Sequence, residues 1–206
     1  PPVTRRHSKC LSCGSVERHR MLHLVLRDLL DNREPLAESV LHIAPERCMR
    51  KLLASSFERY ETLDLFMDDV DHKEDLQHTT LADATYDFVV LSRVLTAPPD
   101  LDACLAEIHR VLKPDGFAVI SEPLLHETTT SRLDSRQSRV RELGLDFIDL
   151  LEARFRHVDL FLSDRYDANY QLNNLIDTGT QPAVAYPERV RISGQGYREI
   201  ILVCGK

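Results

Sequence analysis

The strongest constraint on the fold is a regular succession of short apolar segments and amphipathic segments between Ser39 and Pro123. Ser39 to Ala44 reads SVLHIA, a run typical of a buried strand, and apolar residues at helical spacing follow over 49–57. Further strands are predicted at Tyr60 to Phe66 and around Phe88 to Leu91, where a continuous apolar run indicates burial on both faces. A strand, a helix and a second strand in this order predict a parallel sheet covered by helices, the α/β class.

The flanking segments extend this pattern in both directions. Glu17 to Leu30 carries apolar residues three and four positions apart, which predicts an amphipathic helix. Another helix is predicted from Leu101 to Leu112, and the turn KPDG separates it from the strand sequence GFAVISEP. Val140 to Phe155 indicates a further helix. His157 to Leu162 and Arg198 to Cys204 indicate two strands that can pair antiparallel, and the long connection between them predicts a functional or cleft-covering loop.

Composition and charge exclude several classes of protein. The 206 residues are 43% hydrophobic and carry a net charge of −7, which fits one globular domain and argues against a surface for nucleic-acid phosphates. No apolar run is long enough to span a membrane, and the first residues, PPVTRRHSKC, lack the apolar core of a signal peptide. The cysteines number five, and Cys48, Cys104 and Cys204 are scattered, which favours reduced thiols. We therefore predict a soluble cytoplasmic protein without a nucleic-acid or membrane partner; its oligomeric state stays open.

Polar residues follow two of the predicted strands at the edge where open α/β sheets bind ligands. Asp64, followed by Leu65, comes about 20 residues after the end of the first strand, the spacing at which a carboxylate meets ribose hydroxyls. The alternative for Asp64 is an ordinary turn residue. Ser92 and Arg93 close the strand around Phe88 to Leu91. This arrangement predicts a cofactor that contains a nucleoside.

A second acidic position supports the same kind of cofactor. Asp75 and Leu76 precede the next polar turn, where they can offer a carboxylate to an adenine amino group and a backbone amide to a ring nitrogen. Asp75 also fits one solvated acid in the stretch DDVDHKEDL, and Asp71 in that stretch could take its role.

Two stretches together resemble the central block of class I S-adenosylmethionine-dependent methyltransferases. They read YDFVVLSRVL and DLDACLAEIHRVLKPDGFAVISEP. More narrowly, CLSCGSVERHR followed by LHIAPE is similar to a group of methyltransferase domains that begins with a Cys-x-x-Cys-Gly-Ser segment and a Glu-Arg-His-Arg helix start. The similarity extends from Cys10 to about Val158.

The resemblance implies a Rossmann-like α/β fold with a seven-stranded, mostly parallel sheet, a C-terminal antiparallel hairpin and helices on both faces. It also implies that S-adenosylmethionine lies across the ends of the first, second and fourth strands and that a small-molecule acceptor receives the methyl group. On this interpretation residues 1–34 form an N-terminal Cys-x-x-Cys segment with its helix, and residues 35–206 form the methyltransferase domain.

The turn after the first strand departs from that class, which usually has glycines there to allow close backbone approach. This chain has Ala44, Pro45 and Glu46 instead. The narrower group shares this turn, so the resemblance implies a remodelled site in which Glu46 meets the cofactor's amino group and Ala44 gives room. Two alternatives stay open: Glu46 merely occupies a helix first turn, where acids are favoured, or the protein is a non-catalytic binding or regulatory subunit that keeps the fold.

A group of sulfur and nitrogen donors precedes this domain. Cys10 and Cys13 form a Cys-x-x-Cys pair, and His19 and His23 follow at helical spacing, so the four could bind zinc, with His7 as a further ligand. The alternative is a reduced thiol pair in a tight turn before a helix. Because the chain begins at Pro1 and not at Met, the sequence leaves open whether residues precede it.

The basic residues of the same helix start have a second interpretation. Arg18, His19 and Arg20 could face the cleft and bind the cofactor carboxylate or an anionic substrate, since a guanidinium matches carboxylate geometry. A solvated basic helix start is equally compatible with the sequence.

The catalytic base and the acceptor pocket are the least constrained parts. Methyl transfer from a sulfonium needs an in-line acceptor and, for a weakly acidic acceptor, one general base. His126 follows the strand sequence GFAVISEP and is the candidate base, although a lone histidine also fits polar surface. The candidates for shaping the acceptor pocket lie in the long connection before the last strand: Asp164, Tyr166, Tyr170 and Asn173.

Overall fold

The fold is that of a computed structural model, which describes residues 4–5, 8–31, 39–131, 139–177, 185–192 and 196–206. The helices are α1 (Glu17–Asp31), α2 (Arg47–Ser56), α3 (Leu101–Val111) and α4 (Phe147–Glu152). The strands are β1 (Thr4–Arg5), β2 (Ser39–Ile43), β3 (Arg59–Leu63), β4 (Tyr86–Ser92), β5 (Leu112–Ser121), β6 (Thr130–Ser131), β7 (Arg141–Glu142), β8 (His157–Leu162), β9 (Asn173–Asp177), β10 (Arg191–Ile192), β11 (Gly196–Arg198) and β12 (Ile200–Gly205). Two 3₁₀ turns, Ser163–Arg165 and Ala168–Tyr170, follow β8.

The main sheet has six strands in the order β3-β2-β4-β5-β12-β8. β3, β2, β4 and β5 run parallel, whereas β12 lies antiparallel to both β5 and β8. β8 therefore runs in the same direction as β5. The carboxyl ends of β2, β3, β4, β5 and β8 consequently meet at one edge of the sheet, where the loops that follow them can build one site.

Helices cover both faces of this sheet. Leu105 of α3 and Phe147 of α4 pack with Val89 in one core cluster, and Leu22 of α1 packs with Val90 in a second cluster on the opposite face. Adjacent residues of β4 thus face different helix layers, which explains its continuous apolar sequence. α1 belongs to the same core as the strands, and the division at residues 34 and 35 remains a prediction. Within the described ranges, no helix combines the length and apolar character needed to cross a membrane.

The six strands predicted from hydrophobic patterns each correspond to one strand of the main sheet, although their first and last residues differ from the predicted ones. The seventh strand that the resemblance implies is absent from the described part of this sheet. After β3 the chain makes a single parallel bridge between Leu63 and His72. The carboxylate of Asp71 accepts hydrogen bonds from the backbone N–H and hydroxyl of Thr62 at 2.9 and 2.7 Å. This acidic stretch is therefore held against β3 by side-chain contacts and by one bridge.

The helix predicted from Val140 to Phe155 is wrong in its first half. Only α4, Phe147–Glu152, is helical, and β7 pairs with β6 instead. A Cβ on Gly144 would lie 2.3 Å from the backbone carbon of Thr128. The chain at Gly144 therefore passes directly against another backbone segment, and this contact fixes an extended path before α4 begins.

The long connection between β8 and β12 has secondary structure of its own. It contains β9, β10 and β11, which form a second sheet with β1 in the order β1-β9-β11-β10. The N-terminal strand thus pairs with a segment close to the C-terminus, where β1 lies antiparallel to β9.

Candidate cofactor site

The turn after β2 adopts the backbone conformation that a glycine would provide. Ala44 has φ of 49°, in the left-handed region, and its N–H donates to the carbonyl of Leu63 at 2.8 Å. An L-residue in this region costs roughly 1–2 kcal/mol, so the surrounding contacts must hold it there. α2 then begins at Arg47 with Glu46 as its N-cap, so Glu46 lies just before the first helical turn, in which the sequence alternative placed it. The turn therefore reaches the left-handed conformation without a glycine.

Glu46 is the centre of a polar cluster between this turn and the start of α1. Its Oε1 accepts hydrogen bonds from Nη2 of Arg18 at 2.9 Å and from Nε2 of His19 at 2.7 Å. Nδ1 of His19 accepts the N–H of Val16 at 3.0 Å, so Nε2 carries the hydrogen that points at Glu46. The hydroxyl of Ser92, at the end of β4, lies 3.4 Å from the same Oε1. Three segments distant in sequence thus meet at one carboxylate.

The second oxygen of Glu46 has a different environment. Oε2 is buried and has no hydrogen-bond partner among the described residues. Burial alone would raise the pKa of Glu46, but the hydrogen bond from His19 and the positive charge of Arg18 outweigh it and lower that pKa. Glu46 is therefore an anion with one fixed oxygen and one buried oxygen that can accept a donor.

Asp64 lies directly after β3 at the same edge. Its Oδ1 accepts the backbone N–H groups of Phe66 and Met67 at 2.7 and 2.8 Å. These two bonds orient the carboxylate, and Oδ2 has no partner in the described part of the chain. Leu65 and Phe66 beside it are 44% and 83% exposed. The sequence predicts two alternative roles for Asp64, a turn residue and a ribose ligand. The two roles are compatible, because Oδ1 forms the turn and Oδ2 stays available.

Asp75 and Leu76 have less freedom. Both carboxylate oxygens of Asp75 contact the side-chain amide of Gln77, at 3.1 and 2.9 Å, and Oδ1 also accepts the backbone N–H of Gln77. Leu76 is 7% exposed and belongs to the core. Asp71, the alternative to Asp75, is bonded to β3 as described above. The local structure therefore uses Asp75 in a turn, and a role in cofactor binding stays a prediction.

Arg93 follows Ser92 but points elsewhere. It has φ of 59°, and its Nη2 donates to both carboxylate oxygens of Glu199, at 2.8 and 3.2 Å. Glu199 is 1% exposed and directly precedes β12. The guanidinium thus ties the end of β4 to the start of β12, and among the described residues it makes no contact with Glu46.

His126 lies in the loop after β5 and is separate from the Glu46 cluster in its contacts. Its Nε2 lies 2.9 Å from Oε2 of Glu142, and both side chains are partly exposed. The backbone at His126 bridges to Gly144. The structure thus gives the candidate base a carboxylate partner at the surface.

The predicted zinc ligands do not come together. His19 uses both ring nitrogens, on Val16 and Glu46, and His23 is exposed one turn farther along α1, in a groove with Leu52 and Ser56. In the ranges that the structure describes, no group of three or more His, Cys, Asp or Glu residues is placed to hold a metal ion. The described structure therefore does not support a four-ligand zinc site with both histidines, because His19 turns its ring toward Val16 and Glu46. His7 lies outside the described residues.

Cys10 and Cys13 nevertheless form a defined turn. The Cys13 sulfur lies 3.1 Å from the Ser15 hydroxyl, and hydrogen bonds from Ser15, together with one from the Cys10 thiol, lower the pKa of Cys13. Gly14, with φ of 75°, closes the turn. The reduced thiol pair expected as the alternative matches this geometry.

Three buried polar residues near this edge escape the sequence prediction. His42 on β2 contacts the hydroxyl of Tyr60 at 3.0 Å through Nδ1, and burial lowers its pKa to about 4. Glu122, directly after β5, is fully buried, accepts the N–H of Leu95 at 2.8 Å, and has a pKa raised by burial to about 7. Glu199 holds Arg93. An ionisable residue inside or beside an otherwise apolar strand sequence is the signal that identifies such positions.

The candidate acceptor residues border a cavity of about 400 Å³ beyond the carboxyl end of β8. Asp164, Tyr166 and Asn173 line it, whereas Tyr170 does not and is 42% exposed. Ser163, also in its wall, donates its N–H to the carbonyl of Glu199 at 3.0 Å. The cavity therefore adjoins the start of β12, to which the end of β4 is tied by Arg93.

Comparisons with known proteins agree with this architecture. Residues 33–120 match the family described as Methyltransferase domain. Among solved structures, the chain is similar to a 1,6-didemethyltoxoflavin-N1-methyltransferase from Burkholderia thailandensis, with bound 1,6-didemethyltoxoflavin and S-adenosylhomocysteine: 19% identity, a TM-score of 0.61, and coverage of 92% of this chain and 78% of that one. It is also similar to a SAM dependent methyltransferase from Archaeoglobus fulgidus, with 16% identity, a TM-score of 0.59, and coverage of 92% and 94%. A comparison with curated proteins finds no match. Residues 33–120 therefore resemble a methyltransferase domain, and the chain has the same fold as these solved methyltransferases.

Proposed function

We propose that this protein transfers a methyl group from S-adenosylmethionine to a small-molecule acceptor. The observation that carries the proposal is the carboxylate of Glu46, which has one oxygen held by Arg18 and His19 and the other buried without a partner in the described structure. A charged N–H donor satisfies such an oxygen best, and the methionine part of the cofactor carries an ammonium group.

The residues around Glu46 fit the remaining parts of the cofactor. Oδ2 of Asp64 is available for the ribose hydroxyls, and Nη1 of Arg18, which donates to no described residue, is available for the methionine carboxylate. Asp75 and the backbone N–H of Leu76 would face the adenine. When bound, the cofactor supplies an activated methyl group, and these residues bind and orient it.

The turn at Ala44 bears on the alternative of a non-catalytic subunit. That alternative arose from the absence of glycine after the first strand. Ala44 adopts the left-handed conformation without a glycine, so the missing glycine is no longer a reason to favour a non-catalytic subunit. We therefore keep Pro45 and Glu46 in the proposed site.

The acceptor side rests on the cavity near β8 and on His126. Asp164, Tyr166 and Asn173 would contact a small polar molecule there. His126, paired with Glu142, is the proposed base for acceptors that must lose a proton. A location in the cytoplasm is part of the proposal and rests on composition alone.

Two measurements test the proposal. Calorimetric titration with S-adenosylmethionine and with S-adenosylhomocysteine should show micromolar binding of both; binding of neither contradicts the proposal. Incubation with methyl-labelled S-adenosylmethionine and fractionated small metabolites should then label a compound of low mass and release S-adenosylhomocysteine. Cofactor binding without turnover on any fraction would favour the non-catalytic subunit.

A further inference from the structure

Arg20, in the first turns of α1, joins three segments of the chain through one guanidinium group. Nε donates to the carbonyl of Tyr170 at 2.9 Å, and Nη2 donates to the carbonyl of Gln171 at 2.5 Å. Nη1 donates to the carbonyls of Ser8 and Ser15 at 3.1 and 3.3 Å. All three nitrogens of the guanidinium are thus engaged with backbone oxygens.

The carbonyls that Arg20 meets are presented by two tight turns. In the N-terminal turn, the N–H of Cys10 donates to Ser15 at 2.8 Å and the N–H of Gly14 donates to Cys10 at 2.9 Å. In the other, Gln171 has φ of 51° and its N–H donates to Ala168 at 2.9 Å. These turns fix the directions of the carbonyl groups, so a planar fork of donors is required to serve both.

The same stretch of α1 contacts the proposed cofactor site. Arg18 and His19 meet Glu46, whereas Arg20, the next residue, meets the segment that borders the cavity near β8. A displacement of this helix turn therefore changes both sets of contacts. Farther along α1, the hydroxyl of the cavity residue Tyr166 donates to Asp28 at 3.0 Å, so among these contacts Arg20 is the one directly beside the residues that hold Glu46.

We propose that Arg20 is a positioning residue that couples cofactor binding at Glu46 to ordering of the turn at residues 168–172. This inference rests on the proposed function, because it takes Glu46 as the cofactor contact. When Glu46 gains its ligand, Arg18 and His19 are held more firmly, the first turn of α1 is fixed, and Arg20 holds the carbonyls of Tyr170 and Gln171 at the edge of the cavity. By linkage, the factor by which bound cofactor stabilises this turn is the factor by which the ordered turn strengthens cofactor binding, so loss of the Arg20 contacts weakens binding by up to that factor.

Hydrogen exchange with and without S-adenosylhomocysteine tests the coupling. In the wild type, we expect saturating ligand to slow amide exchange at 168–172 by about tenfold, within the usual range of coupling energies. Arg20→Lys keeps the charge but offers a compact ammonium in place of the fork, so this protection should disappear and the dissociation constant should rise about tenfold. Arg156→Lys, at an exposed arginine after α4, is the matched control and should behave as the wild type.

The outcomes separate the inference from the proposed function. Equal protection and equal affinity in Arg20→Lys and the wild type overturn the coupling, as does a wild type that binds the ligand without protection at 168–172. A wild type that binds no ligand refutes the proposed function first. If Arg20→Lys is unfolded by circular dichroism, Arg20→Ala is measured with methylguanidinium added: restored affinity supports the positioning role, and a folded variant without restoration contradicts it.

Discussion

Replacement of Glu46 by glutamine is the most informative perturbation of the proposed site. The variant keeps the shape and one carbonyl oxygen, which can still accept from Arg18 and His19. It removes the negative charge and places an N–H₂ group where Oε2 is buried without a partner. Glu46→Gln thus turns the acceptor proposed for the cofactor's ammonium into a donor that faces it.

The magnitude follows from the contacts. A hydrogen bond to a charged group contributes about 1.5–3 kcal/mol, which corresponds to roughly 10- to 150-fold in the dissociation constant. The ion pair with Arg18 is also lost. Because the Arg18 and Glu46 side chains are 21% and 19% exposed, solvent screens part of it, and we expect a cost of about 1 kcal/mol in the free energy of unfolding.

Calorimetric titration with S-adenosylhomocysteine at pH 7.5 measures the effect. The matched control is Glu58→Gln, at an exposed glutamate after α2, which should bind as the wild type does. Urea unfolding of each variant confirms that the fold is retained. If Glu46→Gln is folded and its dissociation constant lies within twofold of the wild type, Glu46 does not contact the cofactor and the reasoning is refuted.

Three further predictions concern stability, measured as the free energy of unfolding in urea. Burial raises the pKa of Glu122 from 4.5 to about 7. Between pH 4.5 and pH 7 only the folded state keeps the proton, so the free energy of unfolding falls as the pH rises through this range. Glu122→Gln should therefore be more stable than the wild type at pH 8, by on the order of 3 kcal/mol, but not at pH 4. A gain independent of pH would contradict this. Ala44→Gly should change stability by less than about 1 kcal/mol, whereas Ala44→Val should lower it by about 2 kcal/mol, since a branched side chain is strained at φ of 49°; equal effects would argue against the left-handed turn. Gly144→Ala should lower stability by about 3 kcal/mol, because the new Cβ would meet the backbone of Thr128, and a neutral variant would show that this close approach is wrong.

Most of the fold could be predicted from hydrophobic patterns within short stretches of sequence. The apolar run around Phe88 to Leu91 gave β4, and the spacing from Leu101 to Leu112 gave α3, because burial on one or both faces leaves a direct mark on hydrophobic periodicity. The helix from Val140 to Phe155 failed at Gly144, whose contact with Thr128 belongs to a distant segment and leaves no periodic signal.

The site shows the same limit more strongly. The place of Asp64 after a strand predicts its role, since strand ends define the ligand edge of such sheets, whereas the role of Glu46 is implied by the resemblance alone. The partners of Glu46 on α1 are separated from it by nearly thirty residues, and local spacing left His19 with two interpretations, a zinc ligand and a residue facing the cleft. Arg93 was expected at the cofactor, but its partner Glu199 lies near the other end of the chain. Contacts between distant segments decide which of several polar residues face the ligand.

A crystal structure of the protein with S-adenosylhomocysteine tests the central claim most directly. We predict that the ligand's ammonium nitrogen lies about 3 Å from Oε2 of Glu46 and that its ribose hydroxyls face Oδ2 of Asp64. A ligand bound elsewhere, or one whose ammonium nitrogen has no contact with Glu46, would contradict the account.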